Sequence, residues 1–211
     1  MFRFYLRGIR CRISLLFPAL LTALLLLQPD GFAVTCVLAS LLHEGGHLLA
    51  MLLLGVPPED CELGAFGLRI RLRGQLSGYG RNLLIALAGP LMNGIAAGVL
   101  YSMNASYAAA VHLLLAMLNL LPAAALDGGE MIRCVLGMLG WDSLSVPLLK
   151  TTTILTLLLL ALGGIWQFLQ EKENPTLLII GAYLAVATFS QRKTKKPLDK
   201  SRGCWYNHWD E

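Results

Sequence analysis

Apolar positions fill long stretches of this chain, and polar positions gather between them. Runs such as LLTALLLL and LTLLLLALGG carry almost no polar residue. The pattern predicts six apolar spans, at 13–28, 32–54, 82–101, 106–121, 148–169 and 175–190. At 1.5 Å per residue, about 20 residues cross a hydrocarbon core ~30 Å thick. The spans therefore predict an all-α integral membrane protein of about six transmembrane helices. The basic stretch MFRFYLRGIRCR before the first span reads like the start of a signal peptide, but no A-x-A-like cleavage site follows it. A retained anchor is expected.

Between the second and third spans the period changes from helical to alternating. Leu68, Ile70 and Leu72 alternate with Arg69, Arg71 and Arg73, and glycines at 64, 67 and 74 supply turns. This predicts a short β-hairpin on the cytoplasmic side of the membrane. Residues 1–191 are expected to form a single transmembrane domain, and the polar, Lys-rich residues 192–211 a basic cytoplasmic tail.

Composition supports the membrane reading. The chain is 56% hydrophobic and 14% charged, against roughly 25% charged in soluble domains. Charge then sets orientation, because Lys and Arg collect in cytoplasmic loops. With a cytoplasmic N-terminus, every Lys and Arg except Lys172 falls inside, which predicts a multi-pass cell-membrane protein with both termini cytoplasmic. The net charge of +4 does not by itself call for nucleic acid, and none is expected as a partner. Cys11, Cys36, Cys61, Cys134 and Cys204 form no CxxC pair, which argues against a disulfide framework or a thiolate metal site.

One polar cluster interrupts the second span. SLLHEGGHLLAMLLLG places His43, Glu44 and His47 in apolar surroundings, where a charged side chain costs at least ~2.5–3.5 kcal/mol. The spacing is HExxH. Residues i and i+4 share a helix face, so both imidazoles can reach one metal ion. Glu44 is then placed to act as general base, and zinc suits neutral imidazole ligands. A third protein ligand is needed, and the candidates are Asp127, Glu59, Glu62, Glu130 and His112. Asp127 lies in NLLPAAALDGGEMIR, where Pro122 ends or kinks a helix. A broken helix at membrane depth must line a cavity or pack on protein. Asp127 fits both a ligand and a helix N-cap, whereas a lone His112 fits a packing residue better than a ligand.

These residues resemble the site-2 protease family of intramembrane zinc metalloproteases. The HExxH helix matches as His43-Glu44-Gly45-Gly46-His47. The N-x-x-P and Asp-Gly signature matches as Asn119, Pro122, Asp127 and Gly128, and AGPLMN carries Gly89, Pro90 and Asn93. The resemblance covers about residues 35–135. It implies that His43, His47 and Asp127 ligate Zn2+, that Glu44 is catalytic, and that Asn93 and Asn119 help to bind substrate. The compact plan resembles the bacterial branch that includes the sporulation protease cleaving a precursor sigma factor. No PDZ domain and no nucleotide-sensing domain is visible.

The implied activity is hydrolysis of a peptide bond in a membrane-embedded or membrane-associated protein substrate, within the lipid bilayer. Glu44 would take the proton of the attacking water and return it to the leaving amine. A strand edge in 68–73 would hold the substrate extended. Two readings from other classes compete: a membrane metal-ion transporter, and a non-catalytic zinc-binding membrane scaffold. The transporter reading lacks the paired broken helices of repeated halves, and a scaffold has no need of Glu44. The substrate, its trigger and any inhibitory membrane partner have no signature in the sequence.

Overall fold

The computed structural model describes residues 2–6, 9–13, 31–56, 58–64, 67–72, 78–170 and 176–192. The chain divides into two compact units, Met1–Asn119 with Gly203–Glu211, and Leu120–Arg202.

The first unit joins a sheet to three helices. Strands β1 (Phe2–Leu6), β2 (Ile9–Ile13), β3 (Pro58–Gly64) and β4 (Gly67–Leu72) form one sheet in the order β1-β2-β3-β4. The β1–β2 pair is antiparallel from Phe2↔Ile13 to Leu6↔Ile9, and the β3–β4 pair is antiparallel from Pro58↔Leu72 to Gly64↔Gly67. The β2–β3 pair is parallel, from Arg10↔Asp60 to Ile13↔Leu63. Helix α1 (Phe32–Leu53) lies between β2 and β3 in sequence, and α2 (Gly78–Ser102) and α3 (Ser106–Asn119) follow β4. The three helices pack on one another.

Burial follows the helical period. The buried positions of α2 are Asn82, Ile85, Ala86, Gly89, Pro90, Asn93 and Ala97. Those of α3 are Ala109, His112 and Ala116. Apart from Ile85 and Pro90 these stripes are small or polar, while Leu38, Leu41, Leu52, Leu84, Leu91, Ile95 and Leu113 are exposed. Such a distribution suits a lipid solvent, in which small residues allow close approach and polar groups bond between helices. Gly46 serves that approach, since a Cβ there would meet the Ala88 carbonyl oxygen at 2.7 Å.

The second unit contains α4 (Asp127–Met138), α5 (Asp142–Gln170) and α6 (Thr176–Arg192). Helix α5 packs on both α4 and α6.

The expected fold class needs correction. An all-α protein with one short hairpin is not found: the strands form a four-stranded sheet, to which the N-terminal residues give two strands. Of the six expected transmembrane helices, the described residues bear out only part. Among the described residues, three helices (α1, α2 and α5) are long and apolar enough to cross a membrane. The fourth expected span is α3, whose 14 residues extend only about 21 Å at 1.5 Å each. Most of the first expected span and of the tail lie outside the described residues. The N-terminal strands were hidden by their arginines. Arg10 and Arg12 read as the basic flank of a span, yet they alternate with Ile9, Cys11 and Ile13 as the polar positions of a strand do.

Candidate metal centre

Helix α1 places His43 and His47 one turn apart, and both are buried. Their Nε2 atoms lie 3.2 Å apart, with ring planes at 84° and centroids at 4.8 Å. Two imidazoles on one tetrahedral zinc, each at ~2.0–2.1 Å, would hold their nitrogens about 3.3 Å apart. The pair therefore fits a shared ion with little movement. Glu44, half-buried on the same helix, follows His43 directly.

The surroundings of the pair are built by α2. His47 Nδ1–H donates to the Ile85 carbonyl oxygen at 2.7 Å. That bond places the ring's lone pair on Nε2, as a ligating imidazole requires. Gly89 faces both rings: an added Cβ would stand 2.6 Å from His47 Cε1 and 2.9 Å from His43 Cε1. The glycine of AGPLMN is thus the cradle in which the imidazoles lie. Asn93, 0% exposed, stands one helical turn further on. Its Nδ2 lies 3.3 Å from His43 Nδ1, and its Oδ1 lies 3.1 Å from Nδ1 of the buried His112 on α3.

In the second unit, Asp127 is the first residue of α4, and Leu126 holds the N-cap position without a side-chain cap bond. Asp127 therefore does not serve as that helix's N-cap. The irregular stretch before it is folded tightly back on α4. A Cβ on Gly128 would stand 2.5 Å from the Leu121 carbonyl oxygen and closer still to that of Leu120. Thr153 on α5 fixes the same stretch, its Oγ1 accepting from Ala124 N–H at 2.9 Å and donating to the Leu149 carbonyl at 2.5 Å.

Of the residues singled out from sequence, His43, His47 and Asn93 share one buried cluster. His112 joins it as a hydrogen-bonding residue. Asn119 ends α3, where its Nδ2–H donates to the Leu115 carbonyl at 3.1 Å. Glu130 pairs with Arg133 at 3.2 Å, and Glu59 and Glu62 lie on β3. Sequence reasoning missed Thr153 and the part played by His112. The one available signal for His112 was its place in the small-residue stripe Ala109, His112, Ala116.

No family model matches the chain. A protein of Mycobacterium tuberculosis named as the zinc metalloprotease Rip3, found in two strains, is 30% identical over 150 residues. The match takes in 63% of this chain and 38% of the relative, so the chain spans under two-fifths of the length of the curated relatives it matches. Among solved structures, the site-2 protease of Methanocaldococcus jannaschii superposes with a TM-score of 0.65 at 20% identity. That superposition covers 100% of this chain and 99% of the other, and it establishes a shared fold.

Proposed function

We propose that this chain belongs to the site-2 protease family and is an intramembrane zinc metalloendopeptidase, a reading supported by its motifs, its relative and its fold. The observation that carries this reading is the buried imidazole pair of α1, with its two Nε2 atoms 3.2 Å apart. In this reading zinc is held by His43, His47 and Asp127, the two imidazoles and one carboxylate of the motifs, a donor chemistry that suits the ion. This is a donor set that leaves a catalytic zinc one open position. When bound there, zinc supplies Lewis acidity toward the scissile carbonyl and lowers the pKa of a water.

The chain's own residues do the rest. Glu44 accepts the proton of the attacking water on a carboxylate oxygen and returns it to the leaving amine. His47 is kept in the ligating tautomer by its hydrogen bond to the Ile85 carbonyl. Asn119, at the end of α3, meets the substrate backbone in this reading, whereas Asn93, also expected to bind substrate, is 0% exposed and lies between His43 and His112. The substrate is a membrane-embedded or membrane-associated protein, reached from the cytoplasmic side, where both termini lie.

Co-expression with candidate single-span substrates tests the chemistry. Glu44→Gln keeps size and hydrogen bonding, so the variant should accumulate and retain zinc. Loss of a general base costs ~10²–10⁴-fold, which should abolish visible processing. Cleavage at the wild-type rate would overturn the mechanism. Purified protein should hold about one zinc per chain, and His47→Ala or Asp127→Ala should lower that occupancy. Undiminished zinc in Asp127→Ala would move the third ligand elsewhere.

A further inference from the structure

The ligand pair belongs to a longer chain of buried polar groups. His112 Nδ1 meets Asn93 Oδ1 at 3.1 Å, Asn93 Nδ2 meets His43 Nδ1 at 3.3 Å, and His43 Nε2 meets His47 Nε2 at 3.2 Å. His47 Nδ1 then meets the Ile85 carbonyl at 2.7 Å. Three helices contribute, and His43, His47, Asn93 and His112 are each at least nine-tenths buried. Every link is satisfied if each N–H points toward Ile85, and each imidazole then needs only one proton.

Zinc on both Nε2 atoms requires a different arrangement on the His43 side. His43 must keep Nε2 for the metal, so its one proton sits on Nδ1 and that atom donates. Its neighbour must then present an acceptor. An amide can do this by turning over, exchanging Oδ1 and Nδ2. Asn93 Oδ1 then accepts from His43 Nδ1–H, and Asn93 Nδ2–H donates toward α3. The group that receives it must be able to donate in one sense and accept in the other. An imidazole can, by moving its proton between ring nitrogens, whereas Lys, Arg or Trp could only donate.

We propose that His112 is a positioning residue for the zinc site. It sets, through the Asn93 amide, the tautomer and ring orientation of His43. The inference rests on the zinc reading above but concerns residues outside the proposed ligand set. It gives Asn93, 0% exposed, a place behind the ligand. It also accounts for a histidine buried deep in an apolar helix, where an unpartnered polar group would be costly.

The test is zinc affinity, measured by chelator competition on the full-length protein in detergent. His112→Leu and Asn93→Leu should each weaken binding ~10–100-fold, the usual effect of removing an outer-shell partner, while saturating zinc still fills one site per chain. The double variant should bind no more weakly than the worse single variant, because both remove one relay. His112→Asn, which restores a donor and acceptor, should recover most of the loss. Wild-type affinity in His112→Leu, or additive losses in the double variant, would overturn the relay. Failure of the wild-type chain to bind zinc would instead overturn the metal reading itself. A second measurement needs no substitution: nitrogen-15 spectra of the zinc-loaded wild type should show His112 protonated on Nε2 and bare on Nδ1. A proton on His112 Nδ1 would overturn the proposal whatever the variants do.

Discussion

Gly89 shows how much of this site depends on a missing atom. It is the position of α2 at which the two imidazoles lie, and a methyl group there would overlap the His47 ring. The two rings are held by the Ile85 carbonyl and by Asn93, so moving them aside would break those bonds. Gly89→Ala should therefore displace the ligands and weaken zinc binding by at least the ~10–100-fold that outer-shell changes cause. Gly94→Ala, on the same helix with nothing within 4 Å of the added Cβ, should bind zinc as the parent does. Isothermal competition against a chelator distinguishes the two. At this scale HExxH was legible in the sequence, because a fixed spacing on one helix determines which side chains meet. The His112–Asn93 bond was not, since it joins two helices and depends on their packing.

Thr153 plays the corresponding part for an element. The stretch between α3 and α4 lacks a helical ladder, so its polar backbone must find partners elsewhere in an apolar solvent. The hydroxyl of Thr153 provides one, accepting from Ala124 N–H three residues before Asp127. Thr153→Val keeps the shape and leaves that half-buried N–H without its acceptor, which should cost ~1 kcal/mol, the low end for a lost partner. Thr153→Ser should cost much less. Denaturant unfolding in detergent measures both, and equal stability of Val and Ser variants would remove Thr153 from this role. The sequence showed that the helix breaks near Pro122, because proline there has a local steric consequence. It did not show what holds the break in shape, because α5 begins well beyond it. The sheet was half legible for a similar reason. Alternation at 68–73 marked a strand, but the pairing of residues 10–13 with 60–63 spans a whole helix, and no local pattern records it.

At the scale of the molecule the polarity is arranged for lipid. In the first unit the buried stripes carry histidines and asparagines, and the exposed positions carry Leu, Ile and Val. In sequence, Arg69, Arg71, Arg73 and Arg81 fall in and just after the connection between α1 and α2. Reporter fusions near Arg73 should therefore read cytoplasmic and fusions at Asn104 extracytoplasmic; the opposite result would invert the orientation. Since β1 and β2 share a sheet with β3 and β4, an epitope at Met1 should be reached from the same side as Arg73. The parallel β2–β3 pair also constrains the order of events during synthesis. Parallel neighbours need a long crossover, and here it includes all of α1. Strand β2 leaves the ribosome with one edge waiting, and its partner follows only after the helix that carries His43 and His47 has been made. Closing that sheet is a late, non-local step of the slow kind. A nascent chain stopped at residue 56 would present an unpaired strand edge open to wrong partners, so the quality control of this protein begins at its first strands.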